Sequence, residues 1–223
     1  ALYPSLKTVV AFPRRSNPKL IKLKKEIDKG TLGKIIKIDA TTYEPFNQSI
    51  VNQKHLSTAE SYHKGIFMDV MLNDIDMVHW LVDSAFLSVF ALGNAIKHPK
   101  LIEQNDADTT IVVAQMENGA LVNFTGSRIG HKGFGFELTV TGTKGQITIN
   151  EIKHNNILFT ENGDPTILQT DSTVNDYVQL QKDLVDAVVN GSKIESNVVE
   201  ATDATRVAVA MTKSYLLNKV VTL

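Results

Sequence analysis

The 223-residue chain is 43% hydrophobic and 21% charged, and 23 Lys+Arg against 24 Asp+Glu leave a net charge of −1. It has no run of like charges and no apolar run near the roughly 18–20 residues of a membrane span, so nucleic-acid and membrane partners are excluded as expectations. It has no cysteine, which removes disulfides, thiol nucleophiles and cysteine metal sites and fits a cytoplasmic protein.

A chain this long can bury a substantial core. No repeat, low-complexity tract or Pro/Gly-rich linker divides it, so residues 1–223 are expected to form one domain. Ala1-Leu-Tyr-Pro4 carries no signal pattern and no initiator Met, which suggests a processed chain or one cut from something longer. Thr8–Phe12 reads as a short β-type run leading into Pro13-Arg-Arg-Ser-Asn-Pro18. On composition alone Arg14 and Arg15 are loop surface. Asn17-Pro18 opens an amphipathic helix with Leu20, Leu23 and Ile27 inward and Gly30 as its stop. Lys22, Lys24 and Lys25 form its solvated face. A turn over Gly30–Gly33 precedes a strand, Ile35–Tyr43, with Ile36, Ile38 and Ala40 on one face. Pro45–His63 is a long polar loop of the kind that is usually functional or mobile.

Lys64–Leu81 is the informative stretch. Turned at about 100° per residue, it places Phe67, Met71, Ile75, Val78 and Val82 on one face for the core. Asp69, Asn73, Asp76 and Trp80 form a narrow polar stripe on the opposite face, flanked by Ile66, Val70, Leu72 and Met77. Carboxylates set into an apolar cylinder are costly unless they meet a polar ligand or a partner. The plainer alternative is a partly exposed helix with its acids in water.

Strands dominate from Phe86 onward: Leu87–Ile96, Thr109–Met116, Ala120–Arg128, Phe134–Thr141, Gln146–Ile149, Ile157–Thr160 and Thr166–Gln169. Asn118-Gly119 and Asn162-Gly163 are hairpin signals. Two helices close the chain. Val174–Val189 buries Tyr177, Leu180, Leu184 and Val188 and is stopped by Gly191. Glu200–Leu217 buries Ala204, Val207, Ala208, Met211 and Tyr215. Val220–Thr222 reads as a last strand. Helices at the ends and strands in the middle give an α+β fold, an open and mostly antiparallel sheet with helices on one face.

Gly65-Ile-Phe-Met-Asp69-x-x-x-Asn73-Asp74-x-Asp76-Met77-x-x-Trp80 resembles the signature helix of the Gfo/Idh/MocA oxidoreductases, which usually reads Gly-Gly-x-x-x-Asp-x-x-x-His-Asp-x-Asp. Ala11-Phe-Pro-Arg14-Arg15-Ser-Asn-Pro18 resembles the end of that family's dinucleotide-binding domain, and the closing helix also matches. The resemblance implies a C-terminal domain without its N-terminal Rossmann partner, residues 1–15 being a remnant of the junction. It places Asp69 at the substrate-contacting aspartate, Asn73 at the catalytic histidine and Asp76 at the later aspartate. It also puts Arg14 and Arg15 near the cofactor–substrate junction, Thr42 and Glu44 at an active-site strand end, and His131 and Lys132 where a sheet edge reaches the pocket. Lys64 replaces the first glycine. Asn73 can hydrogen-bond a hydroxyl but cannot take a proton near neutral pH. His63 is the candidate stand-in for that base.

The family's Gly-rich fingerprint and its Glu-Lys-Pro lysine have no counterpart in the sequence. Gly130–Gly135 lies between strands and reads as a loop or bulge. NAD or NADP is therefore expected in a full-length parent and no cofactor in this chain alone, which should not turn over by itself. The histidines show no metal-ligand spacing, so no metal is expected. The expected function is the substrate-binding and oligomerisation domain of an oxidoreductase acting on a sugar or polyol such as inositol. A non-catalytic sugar-binding regulator or a dimerisation scaffold is the alternative. Homo-oligomerisation is expected through the open sheet face, with Val112, Ala114, Leu121 and Phe124 among the strand residues available for it.

Overall fold

The computed structural model describes residues 6–45, 64–131, 133–151, 155–160, 163, 166–167, 175–194 and 196–223. Its framework is a nine-stranded sheet of β1 (Ile35–Tyr43), β2 (Phe86–Asn94), β3 (Thr109–Met116), β4 (Leu121–Ser127), β5 (Gly135–Gly142), β6 (Gly145–Asn150), β7 (Asn155–Thr160), β8 (Thr166–Ile167) and β9 (Val221–Thr222), ordered β8-β7-β6-β5-β1-β4-β3-β2-β9. Every described pairing is antiparallel except β1 with β4. The helices are α1 (Pro18–Asp28), α2 (Ile66–Asp69), α3 (Leu72–Val82), α4 (Asp176–Val189) and α5 (Val198–Leu217), with 3-10 turns at Pro13–Ser16 and Pro99–Gln104. The α+β reading and most strand bounds therefore hold. Thr8–Phe12 is not a strand; Val10 ties it to the segment before α5, its N–H donating to Ser196 O at 2.8 Å and its carbonyl accepting from Ser196 Oγ at 2.5 Å.

Alternation sorts the two faces of the sheet. Ile38, Ala40, Val89, Ala91, Val112, Ala114, Val122, Phe124, Leu138 and Val140 are buried beneath the helices. In register, Val112 pairs with Phe124 and Ala40 with both Phe124 and Leu138. α5 packs on β2 and against α2 and α3, and α3 reaches β1 and α1. The other face keeps Leu92, Ile111, Val113 and Leu121 between 53% and 57% exposed. Of the four residues expected on that face, only Leu121 lies there. Val112, Ala114 and Phe124 have the opposite parity and belong to the core. Ile36 also departs from expectation: a bulge between Ile35 and Lys37 turns it outward while Ile35 is buried.

Helix ends follow their caps. Asn17 accepts from the N–H groups of Lys19 and Leu20 and Pro18 fills the first turn, so α1 starts where the sequence placed it. In α4 the buried residues are Leu180 and Ala187; Tyr177 and Val188 are exposed, a correction to the predicted face. The stretch read as one helix over Lys64–Leu81 is two. It breaks at Val70–Met71, where both consecutive apolar side chains are buried.

Candidate functional site

Because β1 and β4 run parallel, their C-terminal ends finish side by side, with Thr42 opposite Gly126 and Tyr43 opposite Ser127. Glu44 N–H donates to Ser127 O and Glu44 O accepts from Gly130 N–H, both at 2.8 Å. A Cβ on Gly130 would stand 2.9 Å from the Glu44 carbonyl. The glycine therefore serves a close backbone approach, consistent with the loop reading of Gly130–Gly135.

Three further elements converge on this edge. The 3-10 turn brings Arg14, which is buried with its guanidinium 4.5 Å from the Phe136 ring centroid. Arg14 Nη1 donates to Asp74 Oδ1 and Nη2 to Thr42 Oγ1 at 2.8 Å, while Thr42 Oγ1 donates to Asp74 Oδ1 at 3.0 Å. Asp74 Oδ2 is buried with no hydrogen-bond partner. Behind α2, Asp106 Oδ1 accepts from the N–H of Ile66 and of Ala107 at 2.8 Å, and Asp106 Oδ2 accepts from Arg128 Nη1 at 2.5 Å. Arg128, only 2% exposed, also donates to Ala107 O at 3.0 Å and turns Nη2 toward Asp69 Oδ2 at 3.4 Å; its Nε has no partner. Gly65 is required here. Its φ of +87° and ψ of −178° are all but closed to side chains, and a Cβ would lie 2.9 Å from Asp106 Oδ1.

Glu44 is half-buried in this cluster, and no side-chain hydrogen bond holds its carboxylate among the described residues. Burial pushes its pKa up. Asp69 and Asp74 add to the rise, and Arg128 and Arg14 oppose it. Asp69 is exposed at 56% of its side chain. Asn73, half-buried in the first turn of α3, has no side-chain partner among the described residues.

The structure thus brings Arg14, Thr42, Glu44 and Asp69 into one polar cluster, here called the cup, with Asn73 next to Asp74 in the chain. Asp76 and Arg15 form a separate buried unit. Arg15 Nε donates to Asp76 Oδ2 at 2.9 Å and Nη2 to Asp76 Oδ1 at 2.7 Å, with Glu200 at 3.3 Å. Both Asp76 oxygens are engaged by protein, and burial raises its pKa against the pull of Arg15. The picture of all the stripe's acids standing in water fails for Asp76, as does the loop-surface reading of Arg14 and Arg15. His131 is exposed, without a side-chain hydrogen bond or ion pair among the described residues. His63 and Lys132 lie outside the described residues. Sequence reasoning passed over Asp74, Asp106 and Arg128. A signal for Asp74 existed: at 100° per residue it falls beside Val78 on the core side, where a carboxylate needs a buried cation.

Such a cluster offers carboxylate acceptors to a hydroxyl-bearing ligand. Among the described residues no three or more His, Asp or Glu are placed to hold a metal ion. Nor do they contain a Gly-rich strand–turn–helix to cradle a pyrophosphate: the helices open on Asn17, Gly65, Met71, Asn175 and Asn197. The described residues therefore offer no such cradle for a dinucleotide, and no hydride step is assigned to them.

The fold and cup define an α+β domain with an open sheet and a polar site at the end of its parallel strand pair. Residues 20–148, more than half of the chain, match the model of the GFO/IDH/MocA C-terminal domain. The chain belongs to that family. Over 138 residues it is 32% identical to the uncharacterized oxidoreductase YrbE of Bacillus subtilis, covering 61% of this chain and 38% of that protein. Over 154 residues it is 28% identical to the myo-inositol 2-dehydrogenase of Thermotoga maritima, covering 69% and 44%. The matches thus span about two-fifths of the length of these curated relatives. Among solved structures, scyllo-inositol dehydrogenase from Lactobacillus casei with bound NAD(H) and scyllo-inositol superposes at a TM-score of 0.78 and 20% identity, covering 99% of this chain and 66% of that one. An oxidoreductase domain protein from Kribbella flavida superposes at 0.80 and 16% identity, covering 97% and 66%. At these identities the superpositions establish the fold. No helix among the described residues is long and apolar enough to cross a membrane.

Proposed function

We propose that this chain is the substrate-binding and oligomerisation domain of an NAD(P)-dependent oxidoreductase acting on a sugar or polyol such as an inositol. Asp69, Glu44 and Asn73 bind substrate hydroxyls in this reading. The observation that carries it is the cup, where five separate segments deliver Arg14, Thr42, Glu44, Asp69, Asp74 and Arg128 to one edge of the sheet. Apart from one 3.4 Å contact to Asp69, the exposed acceptors are left without hydrogen-bonded partners among the described residues. Arg14 and Arg128 are anchored to buried carboxylates, so they shape the cup rather than compete for its ligand. The inositol dehydrogenases among the relatives point to the same ligand class. Nicotinamide chemistry is expected from a partner domain, and this chain alone should not oxidise a polyol. The exposed sheet face, with Leu92, Ile111, Val113 and Leu121, is the surface for a second copy.

Calorimetric titration of the chain with scyllo-inositol, myo-inositol and glucose tests the reading. At least one should bind, and Asp69→Asn should weaken it about tenfold, a loss of the size expected for a charge-assisted hydrogen bond. Saturable binding that Asp69→Asn leaves unchanged contradicts the reading.

Asn73 favours a second reading, a non-catalytic sugar-binding member of the family, because an amide cannot accept the hydroxyl proton. Polyol oxidation by the chain joined to a cofactor domain, before and after Asn73→His, separates the two. Strong activity with Asn73 in place removes the second reading.

A further inference from the structure

Charge in the cup is unevenly paired. Arg14 is matched by Asp74 and Arg128 by Asp106, each within a hydrogen bond. Among the described residues two carboxylates remain, Asp69 and Glu44. Asp69 has one long contact to an arginine already committed to Asp106. The Glu44 carboxylate has no hydrogen bond among the described residues, although the residue is half-buried. A third acceptor, Asp74 Oδ2, is fully buried in the same cluster without a partner. Leaving Asp74 Oδ2 unsatisfied is costly, and the charge on Glu44 and Asp69 is not fully neutralised by the cations among the described residues, so the arrangement suits a ligand that brings positive charge. A neutral hydroxyl donates one hydrogen bond to a carboxylate; an ammonium donates up to three and cancels charge. A metal ion is disfavoured because no set of three ligating groups converges among the described residues. An anionic substituent would meet unpaired carboxylates with both arginines engaged.

Resting on the polyol-binding reading above, we infer that the preferred ligand is an amino-bearing polyol, an aminocyclitol or amino sugar, whose ammonium sits between Glu44 and Asp69. The same layout discriminates against phosphorylated and carboxylated sugars. Among the described residues the charged groups facing Glu44 are Asp69 from α2, Asp74 from α3, Arg14 from the 3-10 turn and Arg128 from the end of β4. Burial together with Asp69 and Asp74 raises the Glu44 pKa, so amine affinity should fall on acidification, as Glu44 takes up its proton before the ammonium is affected.

The test is a matched titration of the chain with scyllo-inosamine, scyllo-inositol and scyllo-inositol monophosphate at low ionic strength. The amine should bind about five- to tenfold tighter than the neutral polyol, and the phosphate weakest. Glu44→Gln should bring the ratio of amine to neutral affinity toward one, and added salt should lower it in the wild type. Equal or weaker binding of the amine, with scyllo-inositol still bound, overturns the inference and leaves the polyol-binding reading standing. An amine preference that Glu44→Gln does not change also overturns it. Binding of none of the three overturns both.

Discussion

Gly65→Ala probes the scaffold of the cup at its tightest point. Gly65 sits at φ +87° and ψ −178°, where an alanine costs about 1–3 kcal/mol in backbone strain. The added Cβ also comes within 2.9 Å of Asp106 Oδ1. That oxygen cannot simply swing away: it accepts from two backbone N–H groups, and its twin is held by Arg128. Displacing it forfeits at least one charge-assisted hydrogen bond, about 1.5–3 kcal/mol, for a total loss of about 2.5–6 kcal/mol. Gly30→Ala is the control. It also has a positive φ, +74°, but nothing lies within 4 Å of its Cβ, so only the left-handed penalty of about 1–2 kcal/mol applies. Urea unfolding of both variants gives the comparison, with midpoints read at a common slope. Gly65→Ala should lose clearly more than Gly30→Ala. Equal midpoints would refute the packing of Asp106 against α2.

Arg15→Met strands the Asp76 carboxylate in the interior and should cost about 3–5 kcal/mol by chemical denaturation, much of it regained when Asp76→Leu is added; no recovery in the double variant would argue against the isolated pair. Glu44→Gln tests the raised pKa through stability. The stabilising contribution of a carboxyl whose folded pKa is raised is complete below its unfolded value, near 4.3, and is lost as pH rises through the folded value. The variant should therefore gain on the wild type as pH rises from about 4.3 through the raised folded value and level off above it, and a gap that does not move with pH contradicts the shift. Ile111→Asp on the open sheet face should leave stability within about 0.5 kcal/mol while light scattering moves toward the monomer mass; an unchanged mass removes that face as the interface.

Much of the fold was legible because the sheet alternates cleanly. β1 and β3 were bounded to the residue, and Asn118-Gly119 marked their neighbour's hairpin. Parity failed where a bulge intervened at Ile35–Lys37, and where Val112, Ala114 and Phe124 were read toward the open face. A strand's pattern says that two faces differ, not which one the helices cover. Periodicity found the polar stripe of the signature helix but not its partners. Asp76 is turned inward by Arg15, a contact across 61 positions that no local pattern contains. Arg14 and Arg15 looked like loop surface because adjacent arginines usually are; here one anchors Asp74 and the other Asp76. Asp106 and Arg128 carried no motif and became visible only when the antiparallel pairing of β3 with β4 set their segments together.

The central claim is that a polyol sits where β1 and β4 end, against Asn73, Asp69 and Glu44. The most direct measurement is an amide-detected NMR titration of the chain with scyllo-inositol. The side-chain NH2 of Asn73 and the backbone N–H groups of Glu44 and Gly130 should shift together and saturate at one dissociation constant. Saturating shifts confined to α4 or to the open sheet face, with Asn73 and Gly130 unmoved, would contradict the account.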